Sequence, residues 1–216
     1  MLYSGKTLAY LVPICHKIIQ KSEYETSVGV QAVVLVPTKE LVAQVYNVVQ
    51  ELTYYCNRVI TCIKLGTAST KQEAAMLRDT PSIVVATPAG LLKHVKNGSV
   101  VLKETVQNLV IDEADLILSF GYSQDVTELV KSLPKICQGF LMSATLSAEV
   151  DRLKAIVLHS PAILKLEEEH EKGKNRKVGK LMQFYLSLPL QDKQLVLYVF
   201  LKLGLLKGKG LFFVNK

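Results

Sequence analysis

Short segments made almost entirely of apolar residues recur along the chain and constrain its fold most strongly. The predicted strands are residues 32–36, 59–63, 83–86, 109–111 and 140–142. Between them, apolar residues recur at helical spacing; the predicted helices include residues 45–52, 71–78, 91–95 and 150–156. Strands that are apolar at every position are buried on both faces, which indicates an α/β fold with a mostly parallel sheet and helices on both sides.

Polar residues follow four of these strands at the point where each strand ends. They are Pro37 and Thr38, Thr87 and Pro88, Asp112 and Glu113, and Ser143, Ala144 and Thr145. The carboxyl ends of parallel strands meet at one edge of the sheet, where open α/β sheets bind ligands. Taken one at a time, most of these groups also fit ordinary turn or helix-cap chemistry. Together they predict a ligand site at that edge.

Asp112, Glu113 and Asp115 place three carboxylates at the end of an apolar strand. Such a position is unfavourable for charge unless a cation lies opposite. Mg²⁺ prefers hard oxygen ligands and often takes only one or two from the protein. A neighbouring carboxylate can orient or deprotonate the water that attacks a phosphate. A solvated acidic turn is the alternative interpretation.

A second motif lies at the start of the chain, where Ser4, Gly5, Lys6 and Thr7 precede an apolar segment. It matches the second half of the phosphate-binding loop G-x-x-x-x-G-K-[ST], whose backbone N–H groups wrap phosphate. The helix that follows would direct its positive end at the anion. By itself, this four-residue motif is too short to be specific for a phosphate site. With an acidic strand end about a hundred residues later, it predicts a Walker A and Walker B pair.

Taken in order, these motifs resemble those of the first RecA-like domain of a DEAD-box ATP-dependent RNA helicase. Residues 211–215 resemble the first motif of the family's second RecA-like domain. Residues 115–122 are most similar to the nucleolar members that act in assembly of the large ribosomal subunit. The resemblance covers essentially the whole chain and implies a RecA-like P-loop NTPase fold.

The resemblance implies a site for ATP and Mg²⁺. Lys6 would hold the β- and γ-phosphates, while Thr7 and Asp112 would ligate the metal. Glu113 would polarise the attacking water, so that the implied catalytic residues are Glu113, Lys6 and Asp112. The residues implied to bind the nucleotide are Ser4, Gly5, Lys6 and Thr7.

The resemblance also implies a connection from ATP to RNA. Asp115 would link the nucleotide site to Ser143, Ala144 and Thr145, which couple hydrolysis to the RNA side. Contacts to phosphate and sugar carry little sequence information and weaken with salt, so we expect nearly sequence-independent binding. The implied RNA contacts are Pro37, Thr38, Lys39, Gly66, Thr87 and Pro88.

Three positions depart from the usual pattern of the family. Lys39 stands where an arginine is usual. The lysine keeps the positive charge but lacks the planar guanidinium group, which can donate two parallel hydrogen bonds. Ala89 and Gly90 follow Thr87 and Pro88, so the arginine that usually closes this motif is absent. Gly66 stands alone where the family often has two glycines.

The resemblance divides the chain into three parts. Residues 1–166 would form the first RecA-like domain, without the strand region that normally feeds the phosphate loop. Residues 167–182, an acidic run followed by a basic one, would be a charged linker. Residues 183–216 would begin the second domain, with strands at 183–188 and 210–214. The chain is thus expected to be a fragment of an enzyme; the alternative is a non-catalytic RNA- or protein-binding remnant with the same fold.

Composition narrows the expected partners and compartment. A net charge of +7 suits a polyanion such as RNA, but most of the surplus lies in residues 167–216, where a solvated linker is the alternative explanation. The four cysteines lack the close pairs of zinc or redox motifs, which favours a cytosolic or nuclear reducing compartment. The resemblance itself implies the nucleus and nucleolus, with pre-ribosomal particles as partners. No segment predicts a signal peptide or membrane span.

Overall fold

The computed structural model describes residues 5–24, 29–145, 147–164, 184–205 and 208–213. The predictions for Ser4 and for the linker at 167–182 lie outside these residues. The chain divides into two compact units, Met1–Ile163 and Leu164–Lys216, and each is described by itself.

A parallel sheet of five strands forms the centre of the first unit, in the order β2-β3-β1-β4-β5. The strands are β1 Ala32–Leu35, β2 Cys62–Lys64, β3 Ile83–Ala86, β4 Asn108–Ile111 and β5 Gln138–Leu141. All four neighbouring pairs run parallel, and β1 in the middle is paired residue for residue with β3 and β4. This confirms the predicted α/β fold with a parallel sheet.

Helices connect the strands and cover the sheet. In the first unit they are α1 Lys6–Ser22, α2 Lys39–Leu52, α3 Thr70–Arg78, α4 Pro88–Lys96, α5 Ala114–Ser119, α6 Ser123–Lys131 and α7 Ala148–Val157. The sequence pattern did not predict α5 or α6. Their junction is a helix-ending glycine: Gly121 has φ 81°, and the N–H groups of Gly121 and Tyr122 donate back to Leu118 and Ile117.

Alternate residues of each strand enter two different apolar cores, one on each face of the sheet. Val33 and Leu35 of β1 pack with residues of α3 to α7. Ala32 and Val34 of the same strand pack with residues of α1 and α2. Since successive strand side chains point to opposite faces, a central strand needs apolar side chains on both faces. The helices on both faces confirm that reading of the sequence.

Two strand boundaries differ from the prediction for local reasons. The second strand begins at Cys62 rather than at residue 59, because the N–H groups of Val59 and Ile60 both donate to the Cys56 carbonyl in a turn. The fifth strand begins earlier than predicted, at Gln138, because parallel pairing with β4 extends through polar and glycine positions. Apolar content alone therefore misplaces strand ends where a turn or a neighbouring strand decides the hydrogen bonding.

The described part of the second unit contains helix α8, Lys193–Lys202. Within the described residues, 184–188 and 210–213 have no regular secondary structure, so the two strands predicted there are wrong over those positions. Strand hydrogen bonds need a neighbouring strand, which a local apolar pattern cannot supply. Among the described helices, none is long and apolar enough to cross a membrane.

Candidate functional site

Asp112 lies directly after β4 and is held by hydrogen bonds on both carboxylate oxygens. Its N–H continues the sheet by donating to the Leu35 carbonyl at 2.9 Å. Oδ2 accepts from the Tyr10 hydroxyl of α1 at 2.9 Å, and Oδ1 accepts from the Glu113 N–H at 3.0 Å. Asp112 is only 7% exposed and Tyr10 is fully buried. The acidic strand end is thus fixed to the helix that follows the Gly-Lys-Thr motif.

The Tyr10 hydroxyl acts as a donor in this contact. Burial and the negative charge of Asp112 raise the pKa of Tyr10 far above its ordinary value of 10.0. The Thr7 side chain has a smaller, opposing effect on the pKa of Tyr10. The Tyr10 hydroxyl therefore links α1, the helix that contains Thr7, to Asp112 at the end of β4.

Glu113 occupies a backbone conformation that is unusual for a residue with a side chain. Its φ is 52° and its ψ is 51°, in the left-handed region, and it forms the N-cap of α5. The following residue, Ala114, donates its N–H to the Met142 carbonyl at 2.9 Å. Such strain persists where the surrounding structure imposes it, and it is concentrated at functional sites. The sharp turn leaves the Glu113 side chain half-buried beside Asp112.

Asp115, Ser143 and Thr145 form a hydrogen-bonded group at the ends of β4 and β5. The Thr145 hydroxyl donates to Asp115 Oδ2 at 3.1 Å. The Ser143 hydroxyl donates to the Thr145 carbonyl at 2.8 Å and accepts from the Thr145 N–H at 3.3 Å. Ala144 lies between them and is exposed. The structure therefore brings the predicted coupling residues into direct contact.

Gly5, Lys6 and Thr7 form the first turn of α1. Gly5 is the N-cap with φ 71°, a conformation that favours glycine, and its carbonyl accepts from the Ala9 N–H at 3.0 Å. No acidic side chain lies in the first turn of α1. The first turn of α1 itself therefore places no negative charge at the positive end of the helix, which suits an anion site.

The donor atoms at this edge fit Mg²⁺. The Asp112 carboxylate and the Thr7 hydroxyl are hard oxygen ligands, and each Asp112 oxygen has a lone pair beyond its one hydrogen bond. Among the described residues, no group of three or more His, Cys, Asp or Glu side chains could hold a metal by itself. A metal here needs further ligands from phosphate and water, which is the usual arrangement for Mg²⁺ in phosphoryl transfer.

The predicted RNA contacts divide into buried and exposed positions. The Thr38 side chain caps α2 by accepting from the Leu41 N–H at 3.2 Å, and the Thr87 side chain caps α4 by accepting from the Gly90 N–H at 3.3 Å. Thr87 is 7% exposed, and Pro37 and Pro88 are buried. The structure therefore confirms that both threonines act as helix N-caps.

Lys39 is the most accessible of the predicted contacts, and it lies beside Gly66. Lys39, the first residue of α2, is exposed. Its side chain passes so close to Gly66 that a Cβ there would lie 3.9 Å from the Lys39 Cγ. Gly66 has φ 92°, so the turn after β2 favours glycine. An ammonium group therefore stands beside a tight turn at the carboxyl edge of the sheet.

Comparison with known families agrees with this geometry. A family model described as DEAD/DEAH box helicase matches residues 4–153. The chain belongs to this family. The matched span includes every predicted site residue and, in the structure, runs from the start of α1 into α7.

Curated relatives are similar over nearly the whole chain. The probable ATP-dependent RNA helicase ddx56 of Dictyostelium discoideum is 45% identical over 98% of this chain and 30% of its own length. The ATP-dependent RNA helicase dbp9 of Schizosaccharomyces pombe is 45% identical over 99% of this chain and 35% of its own length. The chain thus spans about a third of these DEAD/DEAH box helicases.

A solved DEAD-box structure shares the fold. The crystal structure of the yeast DEAD-box splicing factor Prp28 matches with a TM-score of 0.66 and 27% sequence identity. The match covers 74% of this chain and 38% of the Prp28 chain. The parallel sheet and its helices are therefore those of a DEAD-box RecA-like domain.

Sequence reasoning missed three residues of this helicase domain. Tyr10 carried no motif signal, because a tyrosine in an amphipathic helix is usually a core residue. Glu73 and His94 are buried and in contact, with 2.9 Å between His94 Nε2 and Glu73 Oε2. The other Glu73 oxygen accepts hydrogen bonds from the turn at Gly66. The two residues are far apart in sequence, so no local pattern indicates their pairing.

Proposed function

We propose that this chain contributes the first RecA-like domain of an ATP-dependent RNA helicase that couples ATP hydrolysis to unwinding or remodelling of RNA. The hydrogen bond between Tyr10 and Asp112 carries the proposal, because it joins the helix of the phosphate-binding motif to the acidic strand end. Membership of the DEAD/DEAH box helicase family supports it. The names of the relatives, ATP-dependent RNA helicases, agree with it.

The nucleotide site follows from the ends of α1 and β4. Ser4, Gly5, Lys6 and Thr7 would bind the ATP phosphates through backbone N–H groups, the Lys6 ammonium and the helix dipole. Thr7 and Asp112 would hold Mg²⁺, which when bound neutralises charge on the β- and γ-phosphates. Tyr10 keeps the Asp112 carboxylate in a fixed orientation through its hydroxyl.

Glu113 is the proposed group that orients the attacking water. It is half-buried and adjacent to Asp112, so its carboxylate can accept a proton or a hydrogen bond beside the metal site. Its left-handed backbone directs the chain away from the end of β4 and into α5. Hydrolysis at this site therefore depends on a carboxylate whose position the fold imposes.

The group of Asp115, Ser143 and Thr145 is the proposed coupling device. Asp115 is two residues from Glu113, and its bond to Thr145 ties that part of the chain to the end of β5. A change at the nucleotide can therefore alter this hydrogen bond directly. The side chains are exposed enough to exchange partners when RNA is bound.

RNA would bind along the same edge of the sheet. Lys39 offers an exposed ammonium beside the half-buried Gly66, while Pro37, Thr38, Thr87 and Pro88 set the positions of α2 and α4. Such contacts are made to phosphate and sugar, so we expect RNA binding to have a weak sequence preference. Lys39 lacks the fork of arginine, so it contributes a single point charge.

The proposed organisation of the whole chain remains that of the sequence reading. Residues 1–166 form the first domain, 167–182 the charged linker and 183–216 the start of a second domain.

We further propose a role in ribosome biogenesis in the nucleolus, with pre-ribosomal particles as partners. The similarity of residues 115–122 to nucleolar members of the family supports this role.

ATP hydrolysis by the 216-residue chain, with and without single-stranded RNA, tests the enzymatic proposal. We expect RNA-stimulated phosphate release to fall by about a hundredfold or more in Lys6→Ala and Glu113→Gln. The matched control is Glu104→Gln, an exposed carboxylate away from the strand ends, which should hydrolyse ATP at the unmodified rate.

The outcomes separate the enzyme from its alternative. Turnover by this chain that disappears in Lys6→Ala would place the activity within these residues. Turnover no higher than that of Lys6→Ala would make the chain a non-catalytic RNA- or protein-binding part of the helicase. RNA-stimulated hydrolysis by Glu113→Gln at the unmodified rate would overturn the role given to Glu113.

A further inference from the structure

One oxygen of Glu73 accepts three hydrogen bonds from consecutive backbone N–H groups. Oε1 lies 2.6 Å from the Gly66 nitrogen and 3.1 Å from the nitrogens of both Thr67 and Ala68. Successive N–H groups that converge in this way form a concave anion site in the backbone. Here the anion is a side chain of the same domain, provided by α3.

The second oxygen of Glu73 contacts His94 in the interior. Oε2 lies 2.9 Å from His94 Nε2, and the two side chains are only 6% and 1% exposed. Burial raises the pKa of Glu73, but hydrogen bonds from His94 and then from the backbone of Ala68 and Gly66 outweigh it and leave the pKa below 4.5. The ionised carboxylate only accepts hydrogen bonds, so His94 donates from Nε2.

The other ring nitrogen of His94 makes no competing contact. Nδ1 is buried and has no hydrogen-bond partner within the described part of the chain. The ring is therefore held by its Nε2 contact with Glu73. The role of His94 is to donate one hydrogen bond to Glu73 from a fixed position.

The pair connects the segments that are the proposed RNA contacts. Glu73 belongs to α3 and holds the 66–68 turn after β2. His94 belongs to α4, the helix that begins after Thr87, the N-cap residue. The Lys93 ammonium also donates to the Thr70 hydroxyl at 2.7 Å, a second link from α4 to α3 at the surface. A shift of either buried side chain would move the turn relative to α4.

We propose that Glu73 and His94 are a positioning pair that holds the 66–68 turn and α4 in the arrangement that binds RNA. The N–H groups of Gly66, Thr67 and Ala68 are occupied by Glu73 and are not free to bind phosphate. RNA therefore contacts the outer side of the turn, where Lys39 lies beside Gly66. This inference rests on the proposed RNA-binding function.

The test compares two amide substitutions of His94 in the 216-residue chain. The side-chain nitrogen of glutamine lies about as far from Cβ as Nε2 of histidine, so His94→Gln can still donate to Glu73. The side chain of asparagine is shorter, and His94→Asn cannot reach it. The two variants have the same charge and similar polarity. They differ mainly in whether the hydrogen bond forms.

Two measurements are made on each variant. The first is the amide ¹H–¹⁵N spectrum, where we expect Gly66, Thr67 and Ala68 to keep their unmodified shifts in His94→Gln and to move in His94→Asn. The second is the affinity for a single-stranded RNA at fixed salt, which should fall about tenfold in His94→Asn, the effect of losing one charge-assisted hydrogen bond. His94→Gln should bind within about twofold of the unmodified chain.

A matched control removes a different carboxylate contact of α4. Glu128→Gln breaks the exposed ion pair between Glu128 and Lys96, 2.7 Å apart, without touching the 66–68 turn. It should leave both the turn amides and RNA affinity unchanged. Circular dichroism of all variants establishes that each is folded. A variant of His94 that fails to fold is replaced by Glu73→Gln, which keeps the shape and should likewise move the turn amides.

The results distinguish failure of this inference from failure of RNA binding. Unmoved turn amides and full RNA affinity in folded His94→Asn would overturn the positioning role. Moved amides with full RNA affinity would also overturn it, since the pair would then hold the turn without serving RNA. If the unmodified chain binds no RNA even at low salt, while its turn amides respond as expected, the proposed function of this chain fails and the pair is only structural.

Discussion

At the scale of single residues, the fold holds some groups of the site in a conformation or an environment that is unfavourable in free energy. Glu113 has a left-handed backbone, and the Asp112 carboxylate is 7% exposed beside a fully buried tyrosine. Each state is stabilised by contacts from another element: Ala114 bonds to the end of β5, and Asp112 bonds to α1. Substitutions of these residues are therefore expected to change stability and activity in different ways.

Replacing Glu113 by glycine should stabilise the fold while removing the carboxylate. Glycine adopts a left-handed backbone without strain, so we expect the free energy of unfolding to rise by about 1 kcal/mol in Glu113→Gly. Urea unfolding measures the change. Glu113→Ala is the control, because it removes the same carboxylate but keeps a Cβ and the strain. Equal stability of the two variants would contradict the argument from backbone strain.

Removing the Tyr10 hydroxyl should destabilise the domain. In Tyr10→Phe the buried Asp112 carboxylate loses a donor, and we expect the free energy of unfolding to fall by about 1–3 kcal/mol. Tyr54→Phe is the matched control, because Tyr54 is 68% exposed. A Tyr10→Phe variant as stable as this control would show that the 2.9 Å contact contributes nothing to folding.

At the scale of elements, the turns after β1, β2 and β3 position the next helix by side-chain hydrogen bonds. Thr38 and Thr87 cap α2 and α4, and Ser69 with Gln72 forms a capping box at the start of α3. The turn after β2 is held in addition by the buried carboxylate of Glu73. Side-chain caps thus set where these helices begin, and the buried Glu73 carboxylate in addition hydrogen-bonds the turn after β2.

The Glu73 contact predicts a dependence of stability on pH. Its pKa in the folded chain lies below the ordinary value of 4.5, so the ionised form is favoured by folding. The stabilisation is fully present above pH 4.5 and is lost as pH falls through the lower folded pKa. His94 faces this carboxylate from α4, and the Lys93 ammonium lies nearby on Thr70.

Chemical denaturation at several pH values measures this dependence. We expect Glu73→Gln to be less stable than the unmodified chain at neutral pH, and the difference to shrink as the solution becomes acidic. Glu128→Gln, an exposed carboxylate, provides the control with little change at any pH. A Glu73→Gln variant whose deficit stays constant down to pH 3 would contradict the assignment of an ionised Glu73.

At the scale of the whole molecule, charge and edge geometry predict how RNA is bound. The chain has a net charge of +7. The predicted RNA contacts nevertheless gather at one edge, because all neighbouring strands are parallel and end on the same side. Affinity should therefore depend on a few basic side chains at that edge rather than on total charge.

The salt dependence of RNA affinity tests this expectation. In Lys39→Ala, the slope of log affinity against log salt should fall by about 0.7, the value for one phosphate contact on a single strand. Lys103→Ala is the control, since Lys103 is exposed in the segment that leads into β4, at the opposite edge of the sheet. Equal slopes in the two variants would show that Lys39 makes no phosphate contact.

The sequence alone predicted much of this domain, for identifiable reasons. The strands at 32–36, 83–86 and 109–111 were placed to within a residue, because burial on both faces demands unbroken apolar runs. Asp112 and Thr38 were found because polar residues at strand ends interrupt that pattern. The strands expected at 183–188 and 210–214 were wrong over the described residues, since pairing is not a local property.

The parallel α/β architecture and the motifs at its ligand edge were thus determined by the sequence, through periodicity and polar interruptions that act over a few residues. Only the tertiary structure decided the contacts between distant elements: Tyr10 with Asp112, Thr145 with Asp115, and Glu73 with His94. The physical reason is that a hydrogen bond between buried groups depends on where two helices or strands meet. That meeting is set by packing of the whole core, and no local pattern of residues records it.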